Sequence, residues 1–532
     1  MTDQNASAAS SDQKIGPGRL YRSLISEPGG SLRASDVLSA LRQAGLDEDD
    51  VRLRSTVANI HALDPDAPLT EEQLFGLIAA KEASLVERAL SGRLVVPDFL
   101  RFGQDIGEIF EDCRSDRGGE VASYIPQLAR VEPDMFALGV CTVDGQRTAF
   151  GDKMESFCVQ SVCKPINYAL ARDLHDRDAV HRHVGREPSG RSFNELTLNP
   201  RGLPHNPMIN AGAIMCASLI KPREPMADRF DFVMRVWRDL AGDRSAAFNN
   251  AVYLSEKQTA DRNFALAYFM RENGAFPADT DLMATLDFYF QCCSITVDVR
   301  QMSVIAATLA NGGVCPVTNK RVLTSESVKD CLSLMYSCGM YDYSGEYAFS
   351  VGIPAKSGVS GALMLVVPGV CGLAVWSPRL DECGNSVRGV GFSQALVRKF
   401  SFHSYANMVA DPALLDPTTT EIVRNSNESS YLCAAAATGD LCELRRLIAS
   451  GADVSRKDYD GRTALHLAAC EGQVDAVRLL IGAGCERSPK DRWGNTPLDD
   501  AVREERTAII EMLGGNRPAR RKAETELDQV PA

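Results

Sequence analysis

Apolar residues first recur at helical spacing in a region that spans residues 19–117. The pattern covers Leu38–Leu41, Leu74–Ile78 and Phe99–Phe110, and polar turns separate these segments. It predicts an all-helical N-terminal domain. The preceding residues 1–18 are polar and rich in serine and alanine, so we expect them to be disordered. Their composition is typical of neither a secretory signal nor an arginine-rich transit peptide.

Strand-like segments occupy both ends of the next region, residues 118–405, and helical segments fill the interval between them. Asp144-Gly145 and Pro368-Gly369 are turn signals, and each lies between two apolar segments. The four segments are Phe136–Val143, Gln146–Phe150, Ala362–Val367 and Cys371–Trp376. Strands from both ends that enclose helices predict one mostly antiparallel sheet with helices packed around it.

The last region repeats itself with a period of 33 residues. Gly439 recurs as Gly472, Gly451 as Gly484 and Gly461 as Gly494. The segments Gly461–His466 and Gly494–Leu498 are typical of the turn and first helix of ankyrin repeats. We expect a linker over residues 406–428, ankyrin repeats over 429–515 and a disordered tail over 516–532. Because the repeats are so few, we expect them to pack against another subunit or domain.

Candidate chemistry begins with Ser161 and Lys164, at the start of an apolar-periodic segment. Three residues apart on a helix, they would face the same side, and Pro165 is tolerated near a helix start. A buried, uncharged lysine can take the proton of a serine hydroxyl and so make the serine nucleophilic. Ser-x-x-Lys is the signature of serine β-lactamases and penicillin-binding proteins. The alternative interpretation is a helix-capping serine beside a surface lysine.

A second motif, Lys356-Ser357-Gly358, supports the catalytic interpretation. It precedes the predicted strand at Ala362, and small residues there let the backbone approach a substrate closely. In the β-lactamase fold, a strand of this composition lies against the serine in this chain order. We therefore expect a multidomain α+β protein whose core, residues 118–405, has a β-lactamase-like fold.

Composition removes several other functional classes. Of the 532 residues, 45% are hydrophobic and 24% are charged, and the net charge is −13, so we expect a soluble globular protein without a nucleic-acid partner. No apolar segment approaches the ~18 residues that span a bilayer. Sixteen scattered cysteines without a C-x-x-C pair favour reduced cytoplasmic thiols over disulfides or a zinc site.

One segment, Asp64–Phe75, carries carboxylates like those of a calcium-binding loop. It lacks glycine at the sixth loop position and glutamate at the twelfth, and two prolines interrupt it. We therefore expect an EF-hand-like helix pair that binds no calcium.

With these parts in order, the chain resembles the serine-dependent glutaminases, especially the long kidney- and liver-type form. That form combines an EF-hand-like N-terminal region, a β-lactamase-like core and C-terminal ankyrin repeats. The likeness covers about residues 20–515 and is densest in Tyr124–Ala129, Val143–Arg147, His205–Met208, Asn210–Ile214, Asp261–Phe264, Leu286–Tyr289, Cys338–Asp342 and Pro354–Val359. The resemblance implies hydrolysis of the side-chain amide of L-glutamine to L-glutamate and ammonia, without a cofactor or a metal.

The resemblance also implies the catalytic roles. Ser161 would attack the amide carbon and form a glutamyl ester, while neutral Lys164 takes the serine proton. Burial and the nearby cation of Lys356 would lower the pKa of Lys164. Tyr341 would relay protons to the departing ammonia and from the incoming water. The backbone amides of Ser161 and Val359 would form the oxyanion hole.

The resemblance also implies five further residues that would bind the free amino acid. Glu256 would pair with the substrate ammonium, and Tyr124 would lie on the lid side. Asn210, Asn263 and Tyr289 would donate to the substrate carboxylate or fix its orientation. Taken singly, Tyr289 would be a core residue, Glu256 a solvated helix charge and Asn210 a turn residue, and only the joint match with the family favours the binding roles.

Family members assemble as tetramers or longer polymers and respond to inorganic phosphate, so we expect a homotetramer or higher polymer that phosphate activates. Gly185–Phe193 matches the flexible loop that governs activation in the family. We also expect a protein partner for the ankyrin repeats and a cytoplasmic location, with the mitochondrial matrix as the alternative. Two other functions stay open, a β-lactamase- or transpeptidase-like hydrolase and a catalytically dead ankyrin adaptor.

Overall fold

A computed structural model describes residues 21, 24, 31–190, 195–408, 413–419, 421–449 and 452–514. The segments expected to be disordered, residues 1–18 and 516–532, lie outside this range. The chain forms two compact units, one running to Tyr405 and including Asp416–Thr418, the other formed by Ala406–Leu415 and Thr419 onward. Among the described residues, no helix is both long and apolar enough to cross a membrane.

Helices dominate the N-terminal region, as the apolar periodicity predicts. They are α1 Ala34–Gln43, α2 Arg54–His61, α3 Glu71–Leu77, α4 Ala83–Leu90 and α5 Phe99–Arg114. Strands β1 Leu32–Arg33 and β2 Pro68–Leu69 pair antiparallel, and Leu32 lies opposite Leu69. Thr70 caps α3 through a capping box with Gln73. Within the described part of the chain, no group of three or more histidines, cysteines or carboxylates could hold a metal ion.

The N-terminal helices are fastened to a hairpin turn of the following region. The Gln146 side chain, buried there, donates to the carbonyls of Ala44 at 3.0 Å and Val96 at 2.9 Å. The Arg147 N–H donates to the Gly45 carbonyl at 2.7 Å. Arg52, which pairs with the fully buried carboxylate of Asp50, donates to the Asp144 carbonyl of the turn at 2.6 Å. We call this set of contacts the seam.

A five-stranded antiparallel sheet forms the centre of the first unit, as predicted. Its strands are β4 Ala137–Thr142, β5 Arg147–Gly151, β9 Ala355–Ser357, β10 Ala362–Val367 and β11 Cys371–Trp376, in the spatial order β5-β4-β11-β10-β9. The two terminal hairpins therefore meet at the β4–β11 pair, where Ala137 lies opposite Trp376. Helix α14, Val299–Ala310, packs on this pair so closely that a Cβ at Gly372 would lie 2.1 Å from the Ala307 nitrogen.

The remaining helices of this unit surround the sheet. They are α6 Pro126–Ala129, α7 Cys163–Leu174, α8 Arg177–His181, α9 Asn210–Leu219, α10 Met226–Leu240, α11 Asn250–Gln258, α12 Asp261–Glu272, α13 Leu282–Cys293, α15 Ser325–Cys338, α16 Ser344–Ser350 and α17 Val387–Lys399. Two small sheets complete it. Strand β3 Glu120–Val121 pairs with β12 Arg379–Leu380, and β8 Ile295–Val297 pairs with both β6 Phe157–Cys158 and β7 Ala247–Phe248.

The second unit is a stack of helix pairs with a core of its own. Its helices are α18 Glu421–Thr438, α19 Leu441–Ala449, α20 Ala464–Glu471, α21 Val474–Gly482, α22 Pro497–Arg503 and α23 Thr507–Met512. The linker prediction was too long, because α18 begins at Glu421, within residues 406–428. No proline or glycine interrupts the chain between Pro417 and Gly439, so the polar segment continues as a helix.

Candidate active site

The backbone around Ser161 is fixed by a small sheet. Strand β6 runs into a 3₁₀ turn, Gln160–Val162, and the Val159 N–H donates to the Ile295 carbonyl of β8 at 2.8 Å. Ser161 therefore lies in this turn and not on the α-helix that was predicted to start with it. Helix α7 begins two residues later and carries Lys164. Gln160 has a φ of 47°, a conformation that costs a non-glycine residue free energy and is concentrated at functional sites.

Lys164 is completely buried, and no carboxylate among the described residues is a cause of its pKa shift. Its Nζ donates to the Asn210 Oδ1 at 2.7 Å. Burial lowers the pKa of Lys164 to about 8, which brings the uncharged amine within reach of neutral pH. The sequence therefore identified a lysine whose surroundings suit a general base.

Lys356 is a second lysine near Lys164. Its Nζ is also fully buried and donates to the carbonyls of Gly339 at 3.0 Å and Ser357 at 2.7 Å. Burial, and then the positive charge of Lys164, lower the pKa of Lys356 well below its ordinary value. A positive charge on Lys164 therefore disfavours a second positive charge on Lys356. Its Nζ lies 4.4 Å from the centre of the Tyr341 ring, which it supports from one side.

Tyr341 and the end of strand β9 meet the serine turn. Burial raises the pKa of Tyr341, while hydrogen bonds with the Ser161 side chain and the Val359 backbone oppose that rise. Tyr341 has a φ of 53°, so both this residue and the residue before the serine are held in the left-handed region. A Cβ at Gly358 would lie 2.9 Å from the Val159 carbonyl oxygen, so only glycine lets the strand come this close. The Lys-Ser-Gly strand thus lies against the serine, as predicted.

A buried carboxylate lies beside this cluster. The Oε1 of Glu256 accepts hydrogen bonds from the Tyr124 hydroxyl at 2.6 Å and from the Gln160 Nε2 at 2.9 Å. Burial raises the pKa of Glu256, although both donors oppose that rise. The sequence singled out Tyr124 and Glu256 but gave Gln160 no role. No sequence motif indicates the left-handed backbone of Gln160, which directs the Gln160 side-chain amide toward Glu256.

Three more of the predicted residues meet around Asn210. Its Nδ2 donates to the Asn263 Oδ1 at 3.2 Å, and its Oδ1 also accepts from the Tyr289 hydroxyl at 3.5 Å. Asn210 begins α9, Asn263 lies in the first turn of α12, and Tyr289 is on α13. Three helices from separate parts of the chain therefore present amide and hydroxyl groups next to Lys164. Amide donors and a phenol suit a carboxylate ligand, and Glu256 suits an ammonium.

A cavity of 460 Å³ adjoins Tyr341. Its walls include Asn206, Ile209 and the residues Pro188–Gly190, whereas Ser161 and Glu256 do not line it. The first part of the predicted activation loop therefore lies beside the catalytic cluster, and residues 191–193 of that loop lie outside the described range. We assign the amino-acid pocket to the polar side chains around Lys164 and Glu256. We regard this cavity as the route by which a substrate reaches that pocket.

Comparison with known proteins identifies both units of the chain. The family model for glutaminase matches residues 119–405, more than half of the chain, and a model for ankyrin repeats matches residues 432–521. The putative glutaminase 3 of Caenorhabditis elegans is 46% identical over 438 residues, which are 81% of this chain and 75% of the relative. The mitochondrial liver isoform of glutaminase from Mus musculus is 46% identical over 434 residues, 81% of this chain and 72% of the relative.

Solved structures agree with these sequence matches. A probable glutaminase superposes with a TM-score of 0.55 at 36% identity and covers 57% of this chain and 97% of its own. A probable glutaminase from Bacillus subtilis, solved in complex with 6-diazo-5-oxo-L-norleucine, gives a TM-score of 0.50 at 30% identity and covers 57% and 94%. The chain therefore belongs to the glutaminase family and carries ankyrin repeats in its second unit.

Proposed function

We propose that the protein hydrolyses the side-chain amide of L-glutamine to L-glutamate and ammonia through a glutamyl ester on Ser161. The proposal rests on two buried groups of one cluster, Lys164, which donates to an amide oxygen, and Glu256, which accepts from the Tyr124 hydroxyl. The first supplies a base for the serine. The second supplies a partner for a free ammonium, which a β-lactam does not carry in its reacting ring.

In the acylation step, neutral Lys164 takes the Ser161 proton as the oxygen attacks the amide carbon. The N–H groups of Ser161 and Val359 stabilise the oxyanion, and such a donor is worth about 3 kcal/mol of barrier. Tyr341 delivers a proton to the leaving nitrogen, so ammonia departs. Its position between Ser161 and the Val359 backbone supports this role.

In the deacylation step, a water molecule attacks the glutamyl ester, and its proton passes through Tyr341 and Lys164 back to the serine oxygen. Glu256 binds the substrate ammonium, and the Tyr124 and Gln160 side chains fix the position of the Glu256 carboxylate. Asn210, Asn263 and Tyr289 orient the substrate carboxylate. The reaction requires no metal and no cofactor.

The decisive experiment measures ammonia release from L-glutamine by the purified protein beside hydrolysis of a chromogenic β-lactam. We expect ammonia release and no β-lactam turnover. Turnover of the β-lactam alone would favour the β-lactamase or transpeptidase alternative. No turnover of either substrate would favour a dead adaptor. Ser161→Ala should abolish ammonia release, and an unchanged rate in that variant would remove Ser161 from the mechanism.

We also infer a homotetramer or longer polymer, activation by inorganic phosphate and a protein partner for the ankyrin unit. Exposed Leu254, Tyr268 and Met283, on three successive helices, support further burial by self-assembly. Light scattering tests the assembly, and ammonia release with and without phosphate tests the activation. For the compartment we propose the cytoplasm over the mitochondrial matrix. All sixteen cysteines are free thiols, which suits either reducing compartment, and cell fractionation separates them.

A further inference from the structure

Two thiols that the proposed mechanism does not use lie together beside the catalytic cluster. The Sγ atoms of Cys163 and Cys293 are 3.9 Å apart, and both side chains are buried. Cys163 lies between Ser161 and Lys164 in sequence and opens α7, while Cys293 ends α13. The pair therefore joins the helix that carries the base to a helix that lines the pocket.

Cys293 belongs to the wall of the amino-acid pocket. The Tyr289 side chain, one helical turn earlier, hydrogen-bonds to the Cys293 sulfur. Lys164 and Glu256 are near enough for their charges to act on the Cys293 thiol, and hydrogen bonding to Cys163 and burial raise its pKa well above the ordinary value. The Cys293 sulfur therefore contacts a side chain that is assigned to substrate binding.

The distance between the two sulfurs determines how far they must move to form a disulfide bond. A disulfide bond is about 2 Å long, so the sulfurs must approach by nearly 2 Å to form one. Each thiol stands at the end of a helix, Cys163 in the first turn of α7 and Cys293 as the last residue of α13. Helix termini open more readily than helix interiors, so this displacement is within the range of local motion.

From this arrangement we propose that Cys163 and Cys293 form an oxidation site, at which a peroxide converts the two thiols into a disulfide and switches the enzyme off. The proposal rests on the function assigned above to Ser161 and Lys164. It concerns a chemical class of ligand, small peroxides, that is unrelated to the amino-acid substrate.

The reaction balances with hydrogen peroxide as the oxidant. The Cys293 sulfur attacks one peroxide oxygen, the O–O bond breaks, and the thiol proton leaves with the departing hydroxide as water, which gives a sulfenic acid. The Cys163 sulfur then attacks the Cys293 sulfur, the S–O bond breaks, and the second hydroxide leaves with the Cys163 proton as water. Two thiols and one peroxide thus give one disulfide and two waters. Because the pKa of Cys293 is raised, the first step is slow.

The disulfide should inactivate the enzyme by moving catalytic groups. Cys163 is the neighbour of Lys164, whose Nζ makes its 2.7 Å bond to Asn210 across the site. A misplacement of about 1 Å at such a group costs on the order of 100-fold in rate. We expect a loss of that size in kcat/KM, and full recovery on reduction with dithiothreitol.

The test treats the purified full chain with hydrogen peroxide and follows glutamine hydrolysis and peptide masses together. Wild-type protein should lose activity as a Cys163–Cys293 disulfide appears, and saturating L-glutamate should slow both changes. Cys163→Val should keep its untreated activity within about twofold and resist peroxide. Cys292→Ala, which removes the neighbouring buried thiol, should respond like the wild type.

Three outcomes would overturn the proposal. Activity could be lost without that disulfide, the disulfide could form without loss of activity, or Cys163→Val could be as sensitive as the wild type. If Cys163→Val is poorly folded, Cys163→Ala serves in its place. An untreated protein that does not hydrolyse glutamine would instead refute the proposed function, while the peptide masses still report whether the disulfide forms.

Discussion

The substitution Asn210→Asp would test directly whether Lys164 is the base. The Asn210 Oδ1 accepts the Lys164 Nζ at 2.7 Å, and burial holds the pKa of Lys164 at about 8. A carboxylate at this distance stabilises the ammonium, and we expect the pKa of Lys164 to rise by roughly 2 units. Only the uncharged amine can take the serine proton, so kcat/KM should rise with pH until Lys164 is deprotonated.

The expected size of the effect follows from the neutral fraction of Lys164. At pH 7 about one tenth of the wild-type amine is uncharged, and about one thousandth in the variant. Asn210→Asp should therefore lose about 100-fold in kcat/KM at pH 7 through this effect alone. Much of that loss should be recovered near pH 10. The acidic limb of the pH profile should move from about 8 to about 10.

The assay couples glutamate formation to glutamate dehydrogenase, with aliquots quenched from reactions between pH 6 and 10.5. Asn210→Ala is the matched control, since it removes the same hydrogen bond without adding a charge. The control should lose activity at all pH values, with its acidic limb no higher than that of the wild type. If the limb of Asn210→Asp stays within half a pH unit of the wild type, Lys164 is not the group that titrates.

Three further changes test other parts of the site. Ser161→Ala should abolish ammonia release while the melting temperature changes by less than about 2 °C, and a large drop would indicate a structural role. Glu256→Gln should raise KM for glutamine more than it lowers kcat, by about 10- to 100-fold, because a charge-assisted hydrogen bond of about 1.5–3 kcal/mol is lost; equal losses in both constants would contradict the assignment. Gly358→Ala should lower kcat by at least about tenfold, since its Cβ would meet the Val159 carbonyl, and kinetics at wild-type levels would show that the strand can move aside.

The sequence predicted the sheet because its strands are short apolar segments bounded by glycine turns. Strands Ala362–Val367 and Cys371–Trp376 have the predicted bounds, and the first hairpin differs by one residue or less at each end. Contacts between helices that are far apart in sequence have no such local signature. The meeting of Asn210, Asn263 and Tyr289 was expected only from the family resemblance, and the pairing of Cys163 with Cys293 was not expected at all.

Two errors have the same origin. Ser161 was placed at a helix start because an apolar-periodic segment follows it and Pro165 is tolerated near a helix start, but the pairing of β6 with β8 fixes a tight turn at that point. The helix at Glu421 was missed because asparagine and serine are common in loops. In both places tertiary context decides between local conformations that the sequence allows.

The seam makes the family match a poor guide to where the chain can be cut. A fragment that starts at residue 119 would keep Gln146 and Arg147 but lose the carbonyls of Ala44, Gly45 and Val96 that accept their hydrogen bonds. The hydrogen-bond donors of Gln146 and Arg147 would then lose these protein acceptors and be exposed to water on the hairpin. Any shortened catalytic fragment should therefore retain the chain from residue 31, or carry a redesigned turn.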